Sequence, residues 1–108
     1  MPDAYYALEK LALAVDALAT GAGRVQERLL AAAIELWPAR PQEIPYDDLR
    51  RTFDGIKDDL HFEPAKGGEG SIAATLKITS DEDASAIAHR ILDLYLEFDD
   101  RLKRDEGS

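Results

Sequence analysis

The stretch SDEDASAIAHRILDLYLEFDDRL, residues Ser80–Leu102, decides the fold. Ala84, Ile87, Ile91, Tyr95, Phe98 and Leu102 recur at steps of three and four residues, with Ala88 beside Ile87, which places them on one face of a single helix. Ser80 with Asp83 resembles a capping box, with Asp where Glu is usual. Asp81 and Glu82 suit the positive end of a helix dipole, and Lys103 and Arg104 suit its negative end. A helix with so long an apolar stripe must lay it against other helices, and the rest of the chain supplies them.

Immediately upstream, Ser71–Ile78 reads two ways. Ile72, Ala74, Leu76 and Ile78 alternate as a strand would, and His61–Glu63 could pair with Ile72–Leu76 as a small β-hairpin within 61–78. The same residues fit a short helix capped by Ser71, which two alanines and the adjoining helix start favour. His61–Gly70 reads as a connector. Farther back, Leu49, Phe53, Ile56 and Leu60 repeat at four, three and four, which predicts a helix over Tyr46–Leu60 with Asp47 and Asp48 at its positive end. Pro38, Pro41 and Pro45 punctuate the segment before it. Val25, Leu29, Ala32, Ala33 and Leu36 predict a helix over Arg24–Trp37, with Leu30, Ile34 and Trp37 widening its apolar face. Leu8, Leu11, Val15 and Leu18 predict another over Asp3–Thr20, with Asp3 as its cap. Gly21 and Gly23 turn the chain between these two, so they form a helical hairpin.

The expected fold class is therefore all-α: four main helices in a small bundle with one short extra helix. Residues 1–104 form a single domain and 105–108 a frayed tail. At 108 residues the chain suits one domain. The 45% apolar and 32% charged composition is that of a globular protein. Without cysteine there are no disulfides, thiol nucleophiles or thiolate metal sites. A net charge of −9 disfavours direct nucleic-acid binding and favours basic partners. No run of apolar residues reaches membrane-spanning length, and no basic leader begins the sequence. A soluble cytoplasmic protein is expected.

Candidate sites are few. Gly21, Gly23, Arg24 and Arg28 lie at a helix start, where free amides and arginine could hold a phosphate or carboxylate. The bland alternative is a hairpin turn with one arginine paired to Glu27 or Asp16. Lys66, Gly67, Gly68, Glu69 and Gly70 resemble a phosphate loop in composition, but Lys does not follow the last Gly, and Glu69 adds negative charge. These five residues, with Trp37, are instead candidates for partner binding. His89 and Asp93 are one helical turn apart, half of a metal site at most. Neighbouring carboxylates such as Asp58 and Asp59 diverge on a helix and do not make an acid–base pair by themselves. No catalytic residue, metal ligand or cofactor is assigned.

The runs Gly21-Ala-Gly-Arg-Val-Gln-Glu-Arg-Leu29, Pro45-Tyr-Asp-Asp-Leu-Arg50, Gly68-Glu-Gly-Ser-Ile72 and Ser80-Asp-Glu-Asp-Ala84 resemble a set of small bacterial helical proteins without assigned function, over about Leu8 to Phe98. The resemblance carries over no activity and no binding residue. The functional expectation is a non-enzymatic protein-interaction module with a protein partner or a second copy of itself. A small-anion binder at Gly21–Arg28 and an acidic mimic of nucleic acid are the alternatives.

Overall fold

The computed structural model describes residues 3–60 and 69–107. Five α-helices occur among them: α1 (Ala4–Thr20), α2 (Val25–Leu36), α3 (Asp47–Leu60), α4 (Glu69–Lys77) and α5 (Asp81–Gly107). A 3₁₀ turn at Pro41–Glu43 lies between α2 and α3, and no described residue is in a strand. The fold is all-α. The molecule measures 45 × 29 × 19 Å. A helix with its side chains is about 10–12 Å across, so the short dimension holds two layers. At about 1.5 Å per residue, α5 nearly spans the long one.

The helix starts follow from their caps. The Asp3 carboxylate accepts from the backbone N–H of Tyr5 at 3.0 Å and of Tyr6 at 3.2 Å, and Ser80 Oγ accepts from Asp83 N–H at 3.0 Å. Each cap satisfies donors that the first helical turn leaves without an internal partner. Gly21 ends α1, donating to the Ala17 carbonyl at 3.0 Å. Gly23 has φ +92°, a conformation that L side chains rarely adopt, which explains a glycine there.

The core collects the predicted stripe of α3 in full: Leu49, Phe53, Ile56 and Leu60 are all buried. It also takes Leu29, Ala32, Ala33 and Leu36 from α2, and Ala84, Ile87, Ile91, Leu94, Phe98 and Leu102 from α5. Fully burying each large apolar side chain stabilises the fold by roughly 1.5–3 kcal/mol. Helices α1 and α2 form the expected hairpin, α5 packs on both α1 and α3, and α4 lies against α2.

Helix α4 departs from expectation at its start. Glu69 and Gly70, read as part of a connector, are its first two residues, and Ser71 lies within it rather than capping it. The Ser71 carbonyl accepts from Thr75 Oγ1 at 3.0 Å. Burial decides between helix and strand over this stretch. Ile72 and Leu76 are buried four residues apart, whereas Ala74 is exposed and Ile78 is 88% exposed. That is helical rather than alternating periodicity. The other arm of the alternative hairpin, His61–Glu63, lies outside the described residues.

Candidate protein-interaction groove

The turn between α1 and α2 brings Gly21, Gly23, Arg24 and Arg28 together, but its cations already have partners. Arg24 Nη2 meets Asp81 Oδ1 at 2.9 Å, so its partner is neither Glu27 nor Asp16. Arg28 Nη1 donates to the Leu18 carbonyl at 3.0 Å and satisfies an acceptor in the last turn of α1. The Glu27 carboxylate occupies the space beside Gly23 that a Cβ would enter. A negative side chain thus lies at the helix start where an anion would bind. Gln26 Nε2 donates to Asp81 Oδ1 at 2.6 Å and to the Thr79 carbonyl at 3.0 Å. With the Gln26 bond to Asp81 first and Arg24 second, the Asp81 carboxyl is held below the usual carboxylate range. A cavity of about 340 Å³ adjoins this cluster, with Leu30, Ala73 and Leu76 among its lining residues and charges of both signs on Arg24, Glu27 and Lys77.

Trp37 is half-buried. Lys57 Nζ sits 4.3 Å from the centre of its ring and 4.6 Å from that of Phe53. The same ammonium donates to the Ala39 carbonyl at 2.8 Å and the Trp37 carbonyl at 3.4 Å. Burial pushes the Lys57 pKa down, opposed by the charges of Asp54 and Glu43. Trp37 therefore helps to hold the α2–α3 connector onto α3. Of the loop grouped with it as a partner-binding candidate, Lys66, Gly67 and Gly68 lie outside the described residues, and Glu69 and Gly70 belong to α4.

At the opposite end of α5, charge locks two helices together. Arg101 forms two bonds to the Asp48 carboxylate, at 2.6 and 2.7 Å, and a third to Glu97 at 2.8 Å. The Arg101 hydrogen bonds, then its charge, hold the Asp48 pKa down at about 2. The Tyr46 hydroxyl donates to Asp105, and the Tyr46 ring meets Phe98 edge-on with centroids 6.1 Å apart. The hydrogen bond to Asp105 is the main reason the Tyr46 pKa is raised. Arg90 pairs with Asp59 farther along the same contact. His89 is exposed, and among the described residues no three His, Asp or Glu side chains gather as a metal site would require.

The other side of α5 is different. Val15, Leu18 and Ala19 of α1 surround a cavity of about 360 Å³ with Ser85, Ala88, His89 and Leu92 of α5; Val25 and Arg28 of α2 close it. The end of α1 and the beginning of α5 line one cavity. On α1, Tyr5, Leu8, Ala12, Val15 and Ala19 step by three and four, an apolar seam of coiled-coil spacing. The core takes Ala7, Leu11 and Ala14, a neighbouring stripe. The seam is left half-buried at Leu8, Ala12 and Val15 and exposed at Ala19, while Tyr5 is 51% exposed. On α5, Leu96 lies one turn beyond Leu92 on the same face and is 53% exposed. The cavity and the exposed apolar side chains Tyr5 and Leu96 thus lie on the same two helices, α1 and α5.

Leu8, Val15 and Leu18, read from the sequence with Leu11 as one helical face, pack against the core while staying partly exposed; the cavity beside them was not foreseen. The available signal was that apolar residues ring much of α1, whose charges are Glu9, Lys10 and Asp16. Compared with protein-family models, curated proteins and solved structures, the chain finds no match.

Proposed function

We propose that this chain is a non-enzymatic protein-interaction module, and that its α1–α5 groove receives a helix from a protein partner. The observation that carries this reading is the apolar surface left exposed at Tyr5 and Ala19 of α1 and at Leu96 of α5, with a cavity between the two helices. Partly exposed apolar surface beside a cavity is where a helix gains most from docking, through i, i+3 and i+4 anchors. The cysteine-free sequence suits a reducing cytoplasm. Among the described residues, no helix is long and apolar enough to cross a membrane.

The test compares affinity capture by the wild type and by Leu96→Lys. Leu96 is more than half exposed, so this variant keeps the fold. A partner held by the wild type and lost by Leu96→Lys is the expected result. The same partners held equally by both proteins overturn the assignment of the groove.

A further inference from the structure

We propose that the α2–α3 connector, residues 37–46, is a strap across α3 that opens at its Lys57 end and hinges at Arg50 while the bundle stays folded.

The connector has little backbone bonding to fix it in place. Pro38, Pro41 and Pro45 carry no N–H to donate. The Ala39 N–H donates to the Leu36 carbonyl at 3.1 Å, Glu43 to Arg40 at 2.9 Å and Ile44 to Pro41 at 3.0 Å. Each of these bonds joins residues three apart, so none of them crosses to α3. The Glu43 carboxylate also turns back on the connector, accepting from the Arg40 N–H at 2.6 Å.

The bonds that do cross come from two side chains of α3. Lys57 Nζ donates to the carbonyls of Trp37 and Ala39. Arg50 Nε donates to those of Pro41 and Ile44 at 3.2 Å each, and its Nη2 donates to Ile44 at 2.8 Å. Arg50 and Lys57 are seven residues apart, two turns and about 10.5 Å along α3. They therefore grip the two ends of the connector separately. Four acceptors rest on two cations, through bonds that are stronger than those between neutral groups.

The two grips are unequal. Arg50 stays partly exposed and keeps a further partner in Asp47 at 3.1 Å, and Glu43 and Ile44 at its end of the connector are buried. The Lys57 ammonium gives up water to enter its enclosure, and that cost lowers its pKa. At its end only the small Ala39 is fully buried; Trp37 is half-buried, and Pro38 and Arg40 are exposed. Little apolar area enters water when this end leaves α3, which is the condition for opening locally.

Hydrogen exchange of the full chain, followed residue by residue by NMR at low urea concentrations, tests the strap. The Ala39 amide is expected to exchange at a rate that urea leaves unchanged, while the amides of Phe53 and Ile56 speed up with urea. Lys57→Met keeps the length of the side chain and removes its charge and donors. It is expected to speed Ala39 exchange about tenfold and to leave Ile44 nearly unchanged. Arg50→Met is expected to speed Ile44 instead. Ala39 and Ile56 sharing one urea-dependent rate overturns the proposal, because the connector then opens only when the whole protein unfolds. Ala39 unchanged in Lys57→Met, or Ala39 and Ile44 accelerated equally, overturns the division into an opening end and a hinge. A Lys57→Met chain found unfolded by circular dichroism makes the lysine a support of the entire bundle and overturns it too.

Discussion

Helix α5 presents two sides to two neighbours, and they are built on opposite plans. Toward α3 it buries Phe98 and Leu102 and adds Arg101, Tyr46 and Asp48 as a polar lock. Toward α1 it leaves Leu92 half-covered and Leu96 open. The first contact is finished, with apolar surface removed from water and charges matched. The second still has apolar area exposed at Leu96. Among the described residues, the α3 side adds ion pairs to its apolar contact, whereas the α1 side relies on apolar contact alone and keeps part of that surface exposed.

The contrast can be tested most severely at Phe98. Phe98→Ala removes a fully buried ring and its edge contact with Tyr46, and should cost about 3–5 kcal/mol by urea denaturation. A loss no larger than that of a surface change would mean that the α3–α5 contact is not the stable half. Next comes Gly23→Ala, which forces a side chain into φ +92° beside Glu27 in the α1–α2 turn. It should cost about 1–2 kcal/mol in the same assay.

The polar lock is expected to be worth less and to depend on pH. Asp48 has a pKa of about 2 in the fold against a usual 3.8, so its contribution is present above the usual value. It is lost as pH falls through about 2, because the unfolded chain takes up the proton first. Asp48→Asn should flatten that part of the acid-stability curve, and high salt should shrink the difference from wild type. The smallest effect on stability belongs to Leu96→Lys, within about 0.5 kcal/mol of wild type by the same denaturation, although it should abolish docking. A large loss would show that the open side of α5 is structural after all.

The parts of the fold legible in the sequence were those governed by local rules. The stripe Leu49, Phe53, Ile56 and Leu60 and the caps Asp3 and Ser80 depend on residues within a turn or two of one another. The pairing of Arg50 with Asp47 follows the same i,i+3 logic. Contacts between distant segments were not legible. Asp81 reaches Arg24 across 57 residues and Asp48 reaches Arg101 across 53. The groove was hidden for a related reason. With apolar residues on so much of α1, the helical period alone could not say which stripe the core would take. Ala7 and Ala14 are buried outright, whereas the bulkier Leu8 and Val15 remain half-covered beside them.

The lysine at the α2–α3 connector has one more consequence. Lys57 is boxed in by two rings and two carbonyl oxygens, whereas Lys77 and Lys103 are exposed. An amine-acylating reagent reaches Lys57 Nζ only when this enclosure opens, and the lowered pKa then favours its reaction. Its labelling rate becomes a clock for how often this short stretch of chain lifts away from the helix beneath it.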